Sequence, residues 1–385
     1  MIQPDPLAGL RQAQQLLLEI IRKETAESCQ RQYHPDLSPL GWHLGHCVYT
    51  ETYWIQEVLL NKKHIKDADK ALYIPELSVK SERSAALPDH AALCQWAKEM
   101  QMENLELLGA AMQRQVDSKL IEDDYLAFFL QQHYAQHIET ARYVLRQKQL
   151  AESKPETKMP VLRSSELQPN FLRVSQADFQ VGEDNPLRHY DNECQSFNIE
   201  LESFSIAERP LSNAEYLHFM EEGGYLDREH WNEDAWAWRE SQDISHPQHW
   251  RQDSFGNWFG CGHSGPFSLK ATDAVSGISH FEASAVAKWA GAELPHEYQW
   301  EAAKRKGLLV ACGEVWEWCN NTFHPYQGFV AFPYDGYSLP WFDQAHFVLR
   351  GHSCDSLAVI QRDSFRNFYQ ADKRHFPAGL RLSTR

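Results

Sequence analysis

Residues 129–140 read FLQQHYAQHIET and set His133 and His137 four apart, with Gln136 between them. Residues three or four apart on an α-helix share a face, with Cβ atoms roughly 5–6 Å apart. Both imidazoles can therefore reach one ion. Leu126, Phe129 and Leu130 put apolar surface around the preceding turns. This face then looks into a helical core, a familiar place for metal sites built from facing helices. A second pair stands in GWHLGH, where His43 and His46 lie three apart near the start of another helix. One histidine from that helix with His133 and His137 makes a three-histidine face, leaving open positions on a metal for substrate or dioxygen. Imidazole suits zinc, iron, copper or nickel, so ligand type leaves the metal open. The competing reading is two exposed histidines on a polar helix face, a common arrangement.

Four segments have apolar positions at helical spacing: 6–27, 38–60, 90–112 and 124–148. Ser38 and Pro39 open the second as N-cap and first-turn residue. Four such segments predict a four-helix bundle over 1–150, with a proline-bearing loop, ALYIPELSVKSERSAALPDH, between the second and third helices. The polar stretch LAESKPETKMPVLRSSELQPN predicts a linker, taken as 151–172. Beyond it, over 173–385, short β-prone runs, glycines and tryptophans replace the helical period. Two short helices stand out, SNAEYLHFMEEGG and HFEASAVAKWAG. The fold class is α+β in two domains, the second with much irregular structure.

Composition agrees. A 385-residue chain exceeds one ordinary core, and a 43% hydrophobic fraction supports true cores. A formal net charge of -16 argues against nucleic acid or an anionic membrane as the main partner. No apolar run is long enough to span a bilayer. The start, MIQPDPLAGLRQAQ, does not read as a signal peptide. The 8 cysteines are scattered without a C-x-x-C pair, which fits a reducing cytoplasm rather than a disulfide scaffold. The chain is expected to be cytoplasmic, and a monomer or homodimer.

SPLGWHLGH and HYAQH resemble the DinB-like domain of the ergothioneine-type sulfoxide synthases, whose common forms read S-P-x-x-W-x-x-x-H and H-x-x-Q-H. PLSNAEYLHFMEEGGY, HFEASAVAKWAGAELPHEYQWEAA, GEVWEWCNNTFHPYQGF, YDGYSLPWF, FVLRGHSC and FRNFYQADKRHFPAGLRL are similar to successive blocks of the formylglycine-generating-enzyme fold as these synthases carry it. The resemblance covers nearly the whole chain. It implies a DinB-like bundle followed by a formylglycine-generating-enzyme-like (C-type-lectin-like) domain, with the active site between the two.

It further implies a mononuclear iron(II) held by His46, His133 and His137, with dioxygen (O2) as co-substrate. His43 falls where the family usually has another residue, and is read as supporting or structural. The family joins a thiol sulfur to the imidazole carbon of a histidine derivative, usually hercynine, and oxidises the sulfur. Gln136 matches a glutamine that hydrogen-bonds the substrate imidazole. Tyr337, or Tyr334 in the same block, matches a proton-donating tyrosine. In FRNFYQADKR, Asn367, Phe368 and Tyr369 match a stretch whose ring holds the quaternary ammonium by cation–π attraction. Tyr369 stands where an aspartate is usual. Lys80 and Arg83 match a loop whose arginines grip the carboxylates of γ-glutamylcysteine, and lysine lacks the arginine fork. These departures point to another donor: cysteine, or a non-peptide thiol or selenol such as a selenosugar, as in the selenoneine synthases of the same broad family. Two other classes compete. A true formylglycine-generating oxidase needs a cysteine pair, and Cys354 stands alone after RGHS. The other is a non-catalytic binding protein or a DinB-type thiol transferase; such transferases share the three-histidine bundle but bind zinc or nickel and lack the second domain.

Overall fold

The structure, a computed structural model, describes residues 5–62, 65–153 and 158–385. Residues 1–4 of the N-terminal stretch and 154–157 of the expected linker lie outside the described residues. The chain forms two compact units, 1–151 with 357–360, and 152–356 with 361–385.

The first unit is helical: α1 Pro6–Lys23, α2 Ala26–Gln30, α3 Leu40–Thr52, α4 Asp67–Tyr73, α5 Arg83–Ala86, α6 His90–Gln113 and α7 Tyr125–Glu152. The four long ones fall on the four periodic segments. Asp5, Thr25 and Asp89 cap α1, α2 and α6 by accepting from free first-turn N–H groups. The expected cap at Ser38 is not made. Pro39 takes the N-cap position of α3, and the Ser38 hydroxyl instead accepts from the Arg83 guanidinium at 2.5 Å.

Helix α3 lies at the centre, with every residue but Thr50 buried. Its polar residues must therefore find partners inside the protein. Glu51 accepts from Gln14 Nε2 at 2.8 Å and from the Tyr134 hydroxyl at 2.7 Å. Asn104 of α6 receives Gln56 at 2.8 Å and donates to Thr52 at 3.0 Å. A polar seam thus ties α1, α3, α6 and α7 together. Trp42, Tyr49, Tyr73 and Leu87 form an apolar cluster beside it. No described helix is long and apolar enough to cross a membrane.

The second unit is built on short strands: β1 Phe171–Val174, β2 Ala177–Val181, β3 Phe197–Leu201, β4 Phe204–Ala207, β5 Trp250–Gln252, β6 Trp258–Gly262, β7 Gly265–Phe267, β8 Trp316–Thr322, β9 His346–Gly351, β10 Asn367–Gln370, β11 Ala378–Leu380 and β12 Ser383–Thr384. They make a four-stranded sheet, β10-β9-β8-β11, two three-stranded sheets, β1-β4-β12 and β5-β6-β7, and the pair β2-β3. Among these pairings β8–β11 runs parallel and the rest antiparallel. The two expected short helices are α8 Asn213–Glu221 and α10 His280–Trp289, each opened by a Ser…Glu capping box. Helices α9 Glu233–Ser241 and α11 Glu297–Arg305 were not expected.

Helix α11 was hidden by its charges. Glu297 and Glu301 look like a solvent face in the sequence, yet both are fully buried. Arg366 holds Glu297 bidentately, with both contacts at 2.8 Å, and Arg350 pairs with Glu301. Arg381 and Glu317 make a second buried fork at 2.7 and 2.8 Å, and Trp300 Nε1 donates to the same carboxylate. Trp300, Phe204, Ile206, Cys319 and Val348 pack the core around these pairs. All eight cysteines are free.

Candidate metal centre

His46, His133 and His137 each offer a ring nitrogen within 4.8 Å of the others'. His46 comes from α3, and His133 and His137 from successive turns of α7. His46 Nδ1 donates to the Tyr73 carbonyl at 2.7 Å. That bond fixes the tautomer and leaves the Nε2 lone pair free, as in metal sites whose ligands are oriented by a second partner. His46 Nε2 lies 3.2 Å from His133 Nε2. Metal–nitrogen bonds of about 2.0–2.1 Å separate two nitrogens by roughly 2.9 Å at a right angle and roughly 3.4 Å at the tetrahedral angle. The observed spacing falls between these.

Burial keeps the donors neutral. It pushes His46 down to about 4, and takes His133 and His137 well below the ordinary histidine value. Neutral imidazoles are what a metal requires. His133 Nδ1 is a buried atom without a hydrogen-bond partner. The donor set, three neutral nitrogens with no carboxylate among them, fits a divalent transition metal that keeps open positions.

The surroundings hold the ligands in place. The Trp42 ring stacks on His46 at 4.6 Å between centroids and 10° between planes. The Arg83 guanidinium lies 4.0 Å from the Trp42 ring centre. Its other donors go to Ser38 Oγ, Ser78 Oγ at 3.0 Å, the Ser78 carbonyl at 2.9 Å and the Pro75 carbonyl at 3.1 Å. Arg83 was expected to grip a substrate carboxylate. Instead it is 3% exposed and clamps its own loop. Lys80 donates to the Asp36 carbonyl at 2.7 Å. Gln136 is half-buried on α7, three residues after His133 and so on the same flank. His43 sits against the triad, its Nδ1 3.0 Å from His137 Nδ1.

The remaining expected residues belong to the second unit. Tyr337 stacks on Tyr190 at 4.1 Å and 20°, and Tyr334 is 41% exposed. The turn carrying Tyr190 grips the tyrosine loop further. Asp191 accepts from the Ser338 hydroxyl at 2.5 Å, and Asn192 donates to it at 3.0 Å. On β10, Phe368 stacks on Phe323 at 4.2 Å, whereas Tyr369 stacks on Phe376 at 4.0 Å. Successive strand residues point to opposite faces. Phe368 and Tyr369 therefore face opposite sides of β10, and Asn367 shares the Tyr369 side. Sequence reasoning missed Trp42, although its i, i+4 spacing to His46 was a usable signal. It also missed the Tyr73 carbonyl, which had none, since every residue carries one.

A helical bundle with a three-histidine centre, followed by a sheet-rich α+β unit, is the class that fold and site define. The chain belongs to the sulfatase-modifying factor enzyme 1-like domain family, which it matches over residues 157–311 and 306–385, and residues 9–141 match the DinB superfamily. Three relatives named hercynine oxygenase are each 28% identical to it. They come from Mycolicibacterium thermoresistibile, covering 95% of this chain and 91% of its own, and from Mycobacterium tuberculosis and Mycolicibacterium smegmatis, each covering 100% of this chain and 99% of its own. The solved structure of PvdO from Pseudomonas aeruginosa is similar at a TM-score of 0.40 and 12% identity, over 60% of this chain and 99% of that one.

Proposed function

We propose that this chain is an oxidoreductase of the hercynine-oxygenase type, which joins the imidazole carbon of hercynine to the sulfur or selenium of a small donor. The observation that carries the reading is the convergence of three neutral imidazoles, His46, His133 and His137, in a chain similar over nearly its whole length to hercynine oxygenases. Iron(II), Fe(II), bound there supplies dioxygen activation and one-electron chemistry.

The chain's own groups do the rest. Tyr73 holds the His46 ring so that Nε2 presents its lone pair. The buried Trp42 ring packs beside that ligand and keeps water from its flank. Gln136 is the proposed partner of the substrate imidazole, its amide able to donate or accept. Tyr337 is the proposed proton donor, a role suited to a phenol. Either ring of β10 can offer a face to the trimethylammonium, though not both in one pocket.

The donor is the finer question. Arg83 spends its fork on Ser38, Ser78 and Pro75, so it is not available to the carboxylates of γ-glutamylcysteine. That favours a donor with fewer carboxylates, such as cysteine with one, or with none, such as a selenosugar selenol. The test is to supply iron-loaded protein with hercynine, dioxygen and, in parallel, cysteine, γ-glutamylcysteine or a selenosugar, and to read product masses. The expected product carries a new C–S or C–Se bond, with γ-glutamylcysteine the poorest donor. Hercynine recovered unchanged in every arm would remove the proposal, and γ-glutamylcysteine as best donor would refute the reading of Arg83.

A further inference from the structure

His43 is not one of the three converging donors, yet it is the polar side chain seen in hydrogen-bond contact with His137. It lies on α3 one turn before His46 and is 3% exposed. Its Nδ1 stands 3.0 Å from His137 Nδ1, with ring centroids 5.3 Å apart and planes at 49°. Two imidazole nitrogens at that distance share one proton, and the site decides which ring carries it. If His137 gives its Nε2 lone pair to a metal, its proton must sit on Nδ1. That N–H then points at His43 Nδ1, which must accept. His43 in turn carries its proton on Nε2, a buried atom with no partner.

We propose that His43 is a positioning residue for the metal centre, which accepts from His137 Nδ1–H and so holds His137 with Nε2 open to the ion. The three ligands then have two distinct orienting groups, a backbone carbonyl for His46 and a fourth imidazole for His137. The inference rests on the triad being a metal centre. It adds a residue that touches neither metal nor substrate and acts through a ligand. Partners that orient metal-bound histidines in this way are worth about 10–100-fold in metal affinity.

The test measures binding of cobalt(II), as a spectroscopic probe, and of iron(II) under anaerobic conditions, against a competing chelator on the full-length protein. His43→Phe keeps ring bulk without an acceptor, whereas His43→Gln supplies an amide oxygen able to accept from His137. The expected results are an affinity about 10–100-fold weaker for His43→Phe, most of it recovered in His43→Gln, and an altered cobalt visible spectrum at saturation in His43→Phe alone. Equal affinity and spectra in wild type and His43→Phe would overturn the inference and leave the triad standing. Complete loss of metal in both variants, as deep as in His133→Ala, would make His43 a ligand and also overturn it. His43→Phe failing to fold while His43→Gln binds with an unaltered spectrum counts for it, and His43→Gln binding as weakly as a folded His43→Phe counts against it. A wild type that binds neither ion sinks the metal reading itself.

Discussion

Glu51 sits fully buried on α3, outside the histidine triad, and burial raises its carboxyl to about 7 despite hydrogen bonds from Tyr134 and Gln14. A folded value above the unfolded one means that the neutral acid is the form the bundle favours. Its contribution is present below the unfolded value near 4.5 and is lost as pH rises through about 7. A shift of this size is worth about 3 kcal/mol. Glu51→Gln removes the titration. Between pH 5 and pH 8 the wild type should lose more Tm than the variant does; parallel Tm curves would show that Glu51 does not titrate there. At this scale the sequence was informative where spacing carries meaning, as at His133 and His137, which the structure brings together with His46. Spacing alone did not choose between His43 and His46, since both stand at helical spacing; the resemblance named His46, and the structure sets its ring against the Tyr73 carbonyl and beside His133. Arg83 misled because a buried arginine that stacks on Trp42 and a substrate-gripping one look alike in a sequence.

The element that orients His46 is α3, with the end of α4 behind it. Gly45 gives the end of α4 room: a Cβ there would lie 2.1 Å from the Tyr73 ring. Tyr73 must then move, and its carbonyl is what orients His46. Gly45→Ala should destabilise by about 1–3 kcal/mol, the range for overpacking a core, and weaken metal binding as well. Tm and a chelator competition read the two effects, and an unchanged metal affinity would show that the Tyr73 carbonyl does not govern His46. The four long helices were legible because their apolar period repeats over many turns. Helix α11 was not, because its core-facing side carries Glu297 and Glu301, whose arginine partners lie at Arg350 and Arg366, 49 or more residues away. A charge whose partner is distant in sequence reads as solvent-exposed.

At the scale of the whole molecule, two units carry two cores of different character, a polar seam beside an aromatic cluster in one and desolvated ion pairs in the other. Removing one partner of a buried pair leaves a charge without compensation, a loss of about 3–5 kcal/mol. Arg381→Ala, which strands the buried carboxylate of Glu317, should therefore lower the stability of the second unit. Iron(II) at 100 times its Kd should raise that of the first by about 2.7 kcal/mol. Calorimetry of the full chain separates these as opposite shifts of two transitions. A single transition answering to both changes would mean that the units unfold together. The two-domain α+β class was legible from the change of period after the fourth helix, whereas the sheet order was not, since β8 pairs with β11 across 55 or more residues.

The central claim, that His46, His133 and His137 form the metal centre, is tested most directly by iron stoichiometry. Wild type and the single variants His46→Ala, His133→Ala and His137→Ala would be loaded anaerobically with iron(II), desalted and assayed for metal, with circular dichroism confirming the fold. The account predicts about one iron per chain in wild type, by the mononuclear geometry of such sites, and none in the variants. Wild-type iron content in any folded variant would contradict it.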